Sequence, residues 1–303
     1  MSLNVQGLDV SRLRADFLLL LNAIIWGAAF VAQKQANDFL GPITFIGFRY
    51  LVSALIILPF MLWELQKTQI ALKKEDYAFA SLIGLILFGG MSLQQIGLVT
   101  TTATNAGFLT SLYVVITPFA AWFFMRQKPD RRHIFACSVS IIGAWLLSTN
   151  GAFNKINIGD IQILVSDFGW ATWIVFVSIF MRRSDRPFFL AFLQYTIAAL
   201  LGFTFGLSFE QISLESALNC FWPIFYAGVF SGGLATTLQG IAQKYTPATD
   251  AALIVSLENI FAALAGYIFL AERLTPVGIL GCVIIIVAVL IVEIKVLTKN
   301  KVS

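Results

Sequence analysis

A chain of 303 residues that is 58% hydrophobic and only 12% charged has about half the charged fraction of a soluble domain. That leaves too little polar material to coat a water-soluble core of this size, so the bilayer is the natural solvent. The single histidine, His133, lies in a basic connection and argues against a His-based metal site, and three cysteines do not make a disulfide framework.

Ten stretches approach the roughly 20 apolar residues that a spanning helix needs. The first, 15–34, follows a polar segment too short for a cleaved signal peptide and is expected to stay in the mature protein. It places Asn22 and Trp26 at i, i+4 on one face. The second, 43–63, carries Arg49 in its outer half, and the third, 77–98, contains Gly89-Gly90, Gln94 and Gln95. The fourth, 103–125, has Gly107, Tyr113 and Pro118, and the fifth is 132–149. The sixth, 159–181, sets Asp167 and Trp170 at i, i+3 and continues to Trp173; the seventh is 188–208. The eighth, 219–242, contains Gly232-Gly233, Gln239 and Gln243, and the ninth, 250–270, carries Glu258 near mid-membrane. The tenth, 276–297, is opened by Thr275-Pro276, an N-cap followed by a first-turn proline. Cys137, Cys220 and Cys282 all fall in spans and read as small packing residues.

The connections are short and leave no room for a soluble catalytic domain. With the N-terminus in the cytoplasm, sixteen of the twenty Lys and Arg fall on the cytoplasmic side; Lys34, Lys155 and Arg273 lie opposite and Arg49 lies within a span. This bias predicts an even number of spans with both termini cytoplasmic. It also assigns the +4 charge to lipid headgroups rather than to nucleic acid.

The chain also repeats itself. Leu93–Phe124 shifted by 145 positions falls on Leu238–Phe269 without a gap, with eleven identities including Gln94/Gln239, Thr101/Thr246, Ser111/Ser256 and Leu112/Leu257. A shift of 144 places Asp16 on Asp160 and Trp26 on Trp170. Five spans per half is an odd number, so the second half enters the membrane upside down. The expected fold is all-α: a polytopic membrane protein of ten transmembrane helices arranged as two inverted five-helix repeats, 15–149 and 159–297. Duplicated apolar halves of this kind mark transporters whose substrate site lies between the repeats.

Charges within spans cost about 2.5–3.5 kcal/mol each near the bilayer centre, so Arg49, Asp167 and Glu258 stand out. None is matched in the other half, where Leu193, Ala23 and Tyr113 take the corresponding places. Packing symmetry does not demand them. Arg49 either serves the cavity or pairs with an acid or backbone carbonyls to hold helices together. Asp167 or Glu258 is expected to bind a substrate ammonium or to carry a proton. Trp26 and Trp170 should flank one cavity, where they can stack on an apolar group or attract a cation, while Trp173 reads as a packing residue. The amides Gln94, Gln95 and Gln239 must face protein or water, and Tyr113 joins the cavity by its equivalence to Glu258. The glycine pairs fit either hinges or close packing.

Trp26-Gly27 with Phe30, the Phe48-Arg49-Tyr50 run, residues 104–115 with Pro118, and Ser256-Leu257-Glu258-Asn259 leading to Ala271-Glu272-Arg273-Leu274-Thr275 together resemble the EamA-type branch of the drug/metabolite transporter superfamily. The resemblance covers about Asp16 to Val296. It implies a ten-helix fold around a central cavity, no resident cofactor or metal, and outward movement of amino acids, other small metabolites or drugs across a bacterial inner membrane. Two departures are visible. Asn259 stands where the family often has proline, which leaves the local shape of the ninth span open. Gln127 stands where the second half has Glu272, so a glutamate there is not needed twice.

The leading functional expectation is an alternating-access exporter of amino acids or related compounds, with the bilayer and a small-molecule substrate as partners and protons as a candidate coupling ion. The runner-up is a proton-coupled exporter of cationic drugs. A channel or receptor fits the duplication less well. An enzyme is disfavoured: the spans hold no Ser/His pair, and no phosphate-binding glycine loop is present.

Overall fold

The computed structural model describes residues 5–68, 72–126, 128–129, 131–152 and 157–299. Gln127 and the side chains of His133 and Cys137 lie outside the described residues. Among those described there is no strand. The helices are α1 (Val5–Ala36), α2 (Pro42–Lys67), α3 (Lys74–Thr100), α4 (Ala103–Thr110), α5 (Tyr113–Met125), α6 (Arg131–Thr149), α7 (Ile158–Ser184) and α8 (Pro187–Phe209). They continue with α9 (Leu214–Asn219), α10 (Phe221–Phe225), a π-helical segment Tyr226–Thr236, α11 (Thr237–Ala242), α12 (Ala248–Ser256), α13 (Glu258–Phe269) and α14 (Pro276–Lys299).

Seven helical stretches among the described residues are long and apolar enough to cross a membrane: α1 from Arg12, α2, α3, α4 with α5, α7, α8, and α12 with α13. Two shorter apolar stretches, Ile134–Leu147 and Pro276–Ala288, lie within α6 and α14. The expected span 219–242 is helical but not one continuous α-helix, which is why it does not count by length. Burial is inverted relative to a water-soluble protein. Phe123 and Phe209 are about four-fifths exposed, while Gln95, Asp167 and Gln239 are fully buried. That is the distribution a chain solvated by hydrocarbon requires.

The two halves of the sequence interleave. α2 packs on α8, α3 on α7, α6 on α14, and α1 on α12, α13 and the π-helical segment. Small residues permit the closest crossings: a methyl group at Gly281 would sit 2.7 Å from the Gly143 carbonyl oxygen, and one at Gly27 would sit 2.6 Å from that of Glu258.

Carboxylates fix the direction of these pairs. Glu64, near the C-terminal end of α2, accepts the Phe188 and Phe189 N–H groups at 3.2 and 2.9 Å. Glu210, just past the end of α8, accepts those of Ile43 and Thr44 at 3.0 and 2.7 Å. Each helix caps the start of the other, so α2 and α8 run antiparallel. Glu272, just past α13, likewise accepts the Ala103 and Thr104 N–H groups at 2.8 and 2.9 Å. Helix starts carry orphan N–H donors and partial positive charge, and no water enters the hydrocarbon to satisfy them. Thr246 donates to Asp16 at 3.0 Å, and Thr101 donates to Asp160. These are one bond made twice at duplicated positions.

The fourth and ninth spans both break, at Ser111-Leu112 and at Leu257. There the ladder tightens to i→i−3, with Leu112 N–H on Leu109 O (3.0 Å) and Ile260 N–H on Leu257 O (3.1 Å). Ser111 Oγ donates to Phe108 O at 2.7 Å and diverts a ladder acceptor. Asn259 Nδ2 donates to Ser111 Oγ at 3.2 Å and ties the two breaks together. The ninth span therefore breaks without the proline that the family often has. At the start of α14 the Thr275 hydroxyl accepts Gly278 N–H at 3.0 Å, the cap expected from Thr275-Pro276.

The π-helical segment holds Gly232-Gly233. Its carbonyls are taken up from outside: Ser53 Oγ donates to Gly228 O at 2.8 Å, Trp26 Nε1 to Ser231 O at 3.1 Å, and Tyr195 OH to Gly232 O at 2.8 Å. Close packing and a wide turn coincide here.

Glu210→Ala would strip both acceptors from the start of α2 and should lower stability by about 1–2 kcal/mol in thermal unfolding of the purified protein. Glu215→Ala, on the exposed face of α9, should leave it unchanged. Equal behaviour of the two would show that the α2–α8 caps contribute nothing.

Candidate functional site

Helical spacing builds the first wall of a central pocket. Trp26, Phe30 and Gln33 of α1 are at i, i+4 and i+7 and line one side of a narrow cavity of about 20 Å³. α2 contributes Arg49, α3 contributes Met91 and Gln94, and α7 contributes Trp170. The π-helical segment adds Ser231, the fourth-span break adds Thr110 and Tyr113, and the ninth-span break adds Glu258. Helix breaks and a π turn thus meet at the cavity, where irregular backbone is tolerated in a membrane protein.

Of the residues expected from sequence, Trp26, Arg49, Gln94, Tyr113, Trp170 and Glu258 line this one pocket. Asn22 and Gln239 are buried and bonded to each other, Nδ2 to Oε1 at 2.7 Å. Gln95 points back to α1, donating to Gln33 O at 2.8 Å and Asn37 Oδ1 at 2.9 Å. Asp167 is fully buried and does not line the pocket, but it lies one helical turn before the pocket-lining Trp170 on α7. Phe30 and Thr110 entered the sequence reading only as motif residues, and Gln33, Met91 and Ser231 did not enter it. Phe30 and Gln33 were available from the helical period of Trp26, and Met91 lies three residues before Gln94 on the same face. Ser231 had only its position beside the glycine pair as a signal.

The tryptophans form a cluster. Ring centroids of Trp26 and Trp170 are 5.7 Å apart, and Trp173 lies 6.4 and 5.9 Å from them. The Trp170 indole N–H donates to Gln94 Oε1 at 2.7 Å. Trp173 is buried outside the pocket and donates to Gln194 Oε1 at 2.9 Å, the packing role expected of it.

Arg49 is 4% exposed. One guanidinium nitrogen donates to Ser231 Oγ at 2.8 Å and another faces Met91 Sδ at 3.3 Å, and the guanidinium carbon is 5.2 Å from the Tyr50 ring centre. Its Nε has no protein partner. The expected option of an ion pair with a span acid is corrected: among the described residues Arg49 makes none, because the side chains in its reach are a hydroxyl, a thioether and a ring. The acids are as bare. Both carboxylate oxygens of Asp167, Oε1 of Glu258 and the Tyr113 hydroxyl lack a protein hydrogen-bond partner. Buried charged side chains of both signs around one pocket, none of them in an ion pair, are an arrangement that can receive a ligand's charges.

Arg49→Met separates bracing from binding. Replacing a buried charge that has no ion-pair partner by an apolar side chain removes its desolvation cost and should leave the unfolding temperature unchanged or raised, with loss of ligand-induced stabilisation. A variant that unfolds at lower temperature would make Arg49 a helix brace.

Comparisons with known proteins agree with this architecture. The EamA-like transporter family matches the chain twice, over residues 13–149 and 157–294. An uncharacterized transporter from Archaeoglobus fulgidus is 36% identical over 287 residues, 95% of this chain and 88% of that one. The uncharacterized transporter YvbV of Bacillus subtilis is 24% identical over 95% of this chain and 94% of its own. A solved crystal structure superposes with a TM-score of 0.70 over 96% of this chain and 99% of that chain at 13% identity, a likeness of fold alone. The chain is an integral membrane protein that belongs to the EamA-like transporter family.

Proposed function

We propose that the protein is an alternating-access exporter of amino acids or related small metabolites, built as ten spans in two inverted five-helix repeats, 15–149 and 159–297. The carrying observation is that unpaired Arg49 and Glu258 line one narrow cavity beside Trp26 and Trp170. A zwitterion offers a carboxylate to the first and an ammonium to the second, and the indoles supply apolar and cation-attracting faces. Both charges are desolvated, so a substrate lacking one would leave a buried group unmet.

The inverted arrangement is supported by the antiparallel capping of α2 and α8 and by the paired Thr–Asp bonds at duplicated positions. Partners across the halves then exchange under a twofold operation, α3 on α7 matching α1 on the π-helical segment and α11. The basic residues near Arg12, Arg183 and Lys244 meet Asp250, Asp76 and Asp185 at one end of the bundle. That end suits the cytoplasmic face, with both termini inside and a bacterial inner membrane as the setting.

A second reading has its own observation. Two buried acids face one buried Arg, an excess of negative charge that suits a proton-coupled exporter of cationic compounds.

Proteoliposome flux tests the class. A carrier should saturate and show counterflow with an amino acid, and Glu258→Gln should reduce the flux at least about tenfold with folding intact. Conductance without exchange would make the protein a channel. Flux of organic cations that amino acids do not compete with would favour the second reading.

A further inference from the structure

Four side chains around the two helix breaks present oxygen atoms that no protein group satisfies. Asp167 is 0% exposed and has neither carboxylate oxygen bonded. Glu258 and Tyr113 are 1% exposed, with Oε1 and the hydroxyl unbonded, and Thr110 Oγ1 is unbonded at 2%. Thr110, Tyr113 and Glu258 line the same narrow pocket, and Asp167 lies one helical turn before the pocket-lining Trp170 on α7. The oxygens come from α4, the first residue of α5, α7 and the first residue of α13. Thr110, Tyr113 and Glu258 sit where α4 gives way to α5 and α12 to α13, and α7, which carries Asp167, packs against α4, α5 and α12.

We propose that Asp167, Glu258, Tyr113 and Thr110 form a seat for one alkali-metal cation of sodium size. Two arguments converge on it. The first is charge: with Arg49 as the pocket's one fixed positive group and two carboxylates opposed to it, a single monovalent cation brings the buried charge to zero. The second is the number of acceptors. A proton satisfies two oxygens, whereas a hard cation gathers five or more oxygen ligands, and this site offers five unbonded ones on four side chains. Broken helices at mid-membrane are where transporters place such ions, because unwound backbone can turn acceptors toward them. The Val114 N–H bonds Ser111 O rather than its helical i−4 partner on Thr110. This seat shares the cavity with the proposed substrate site. It deepens the transport reading by supplying an ion for coupling, and its occupancy can be read without flux.

Full-length protein in nanodiscs is titrated with NaCl at fixed pH, with choline chloride holding the ionic strength, while thermal stability and tryptophan emission are followed. Trp26 and Trp170 line the same pocket, so binding should change emission. The expected result is saturable stabilisation and an emission change with sodium but not choline, abolished in Asp167→Asn and weakened at least about tenfold in Glu258→Gln. Thr110→Val, which keeps the side-chain shape, should also weaken binding, and Asp185→Asn at the distant Lys244 pair should leave it unchanged. Equal responses to sodium and choline, or retention of the sodium response in Asp167→Asn and Glu258→Gln, would overturn the seat. A response to pH alone would overturn it and assign the pair to a proton. Sodium binding without carrier flux would leave the seat standing and remove the transport reading; carrier flux without sodium binding would do the reverse.

Discussion

In hydrocarbon a polar group has only the protein to turn to, and this constraint organises the molecule. It explains why glutamates cap helix starts across the bundle, why Lys34 spends its ammonium on the carbonyls of Leu98, Val99 and Thr101 at the end of α3, and why the buried glutamines bond side chains or carbonyls of neighbouring helices. A network that closed completely would be a structural core. Here it stays open at several points, and the charged groups left without an ion pair or with bare oxygens, Arg49, Asp167 and Glu258, are in or beside the pocket together with the bare hydroxyls of Tyr113 and Thr110. Function is read from where satisfaction fails, because each such group carries a desolvation cost that folding alone gives no reason to keep.

The interleaving of the halves follows from the same rule. Neither half lies apart from the other: α2 needs Glu210 at its start and α8 needs Glu64, so each repeat satisfies its partner's helix termini. Glycines at the crossings let the helices come close enough for van der Waals contact to hold them where no hydrophobic drive exists between chain and lipid. The cavity sits at the centre of this exchange, walled by both halves.

Much of this was legible in the sequence. Hydropathy gave most of the helices, and the repeat offset tied Trp26 to Trp170 and Thr101 to Thr246, pairs that the structure brings to matching tasks. Asp167 and Glu258 stood out because the other half lacks them. What escaped depends on three-dimensional neighbours. Nothing about Arg49 announces that its nearest partners are Ser231 and Met91, and nothing about Gln95 says that it turns away from the pocket. The eighth span left a trace that hydropathy ignores. The glycine pairs match at an offset of 143 and the Leu-Gln pairs at 145, so the second half carries two extra residues between them. Extra residues inside a helix are absorbed by widening it, and the wide winding of Tyr226–Thr236 lies over that insertion.

A helix underwound by surplus residues holds a reserve of rotation. Passing one residue out of Tyr226–Thr236 into the neighbouring coil would turn the following segment by about 100°, swinging Gln239 off Asn22 and Gln243 off the Ile174 carbonyl. The three side chains that clasp the carbonyls of Gly228, Ser231 and Gly232 come from α2, α1 and α8. Any such rotation would have to break all three of these bonds together.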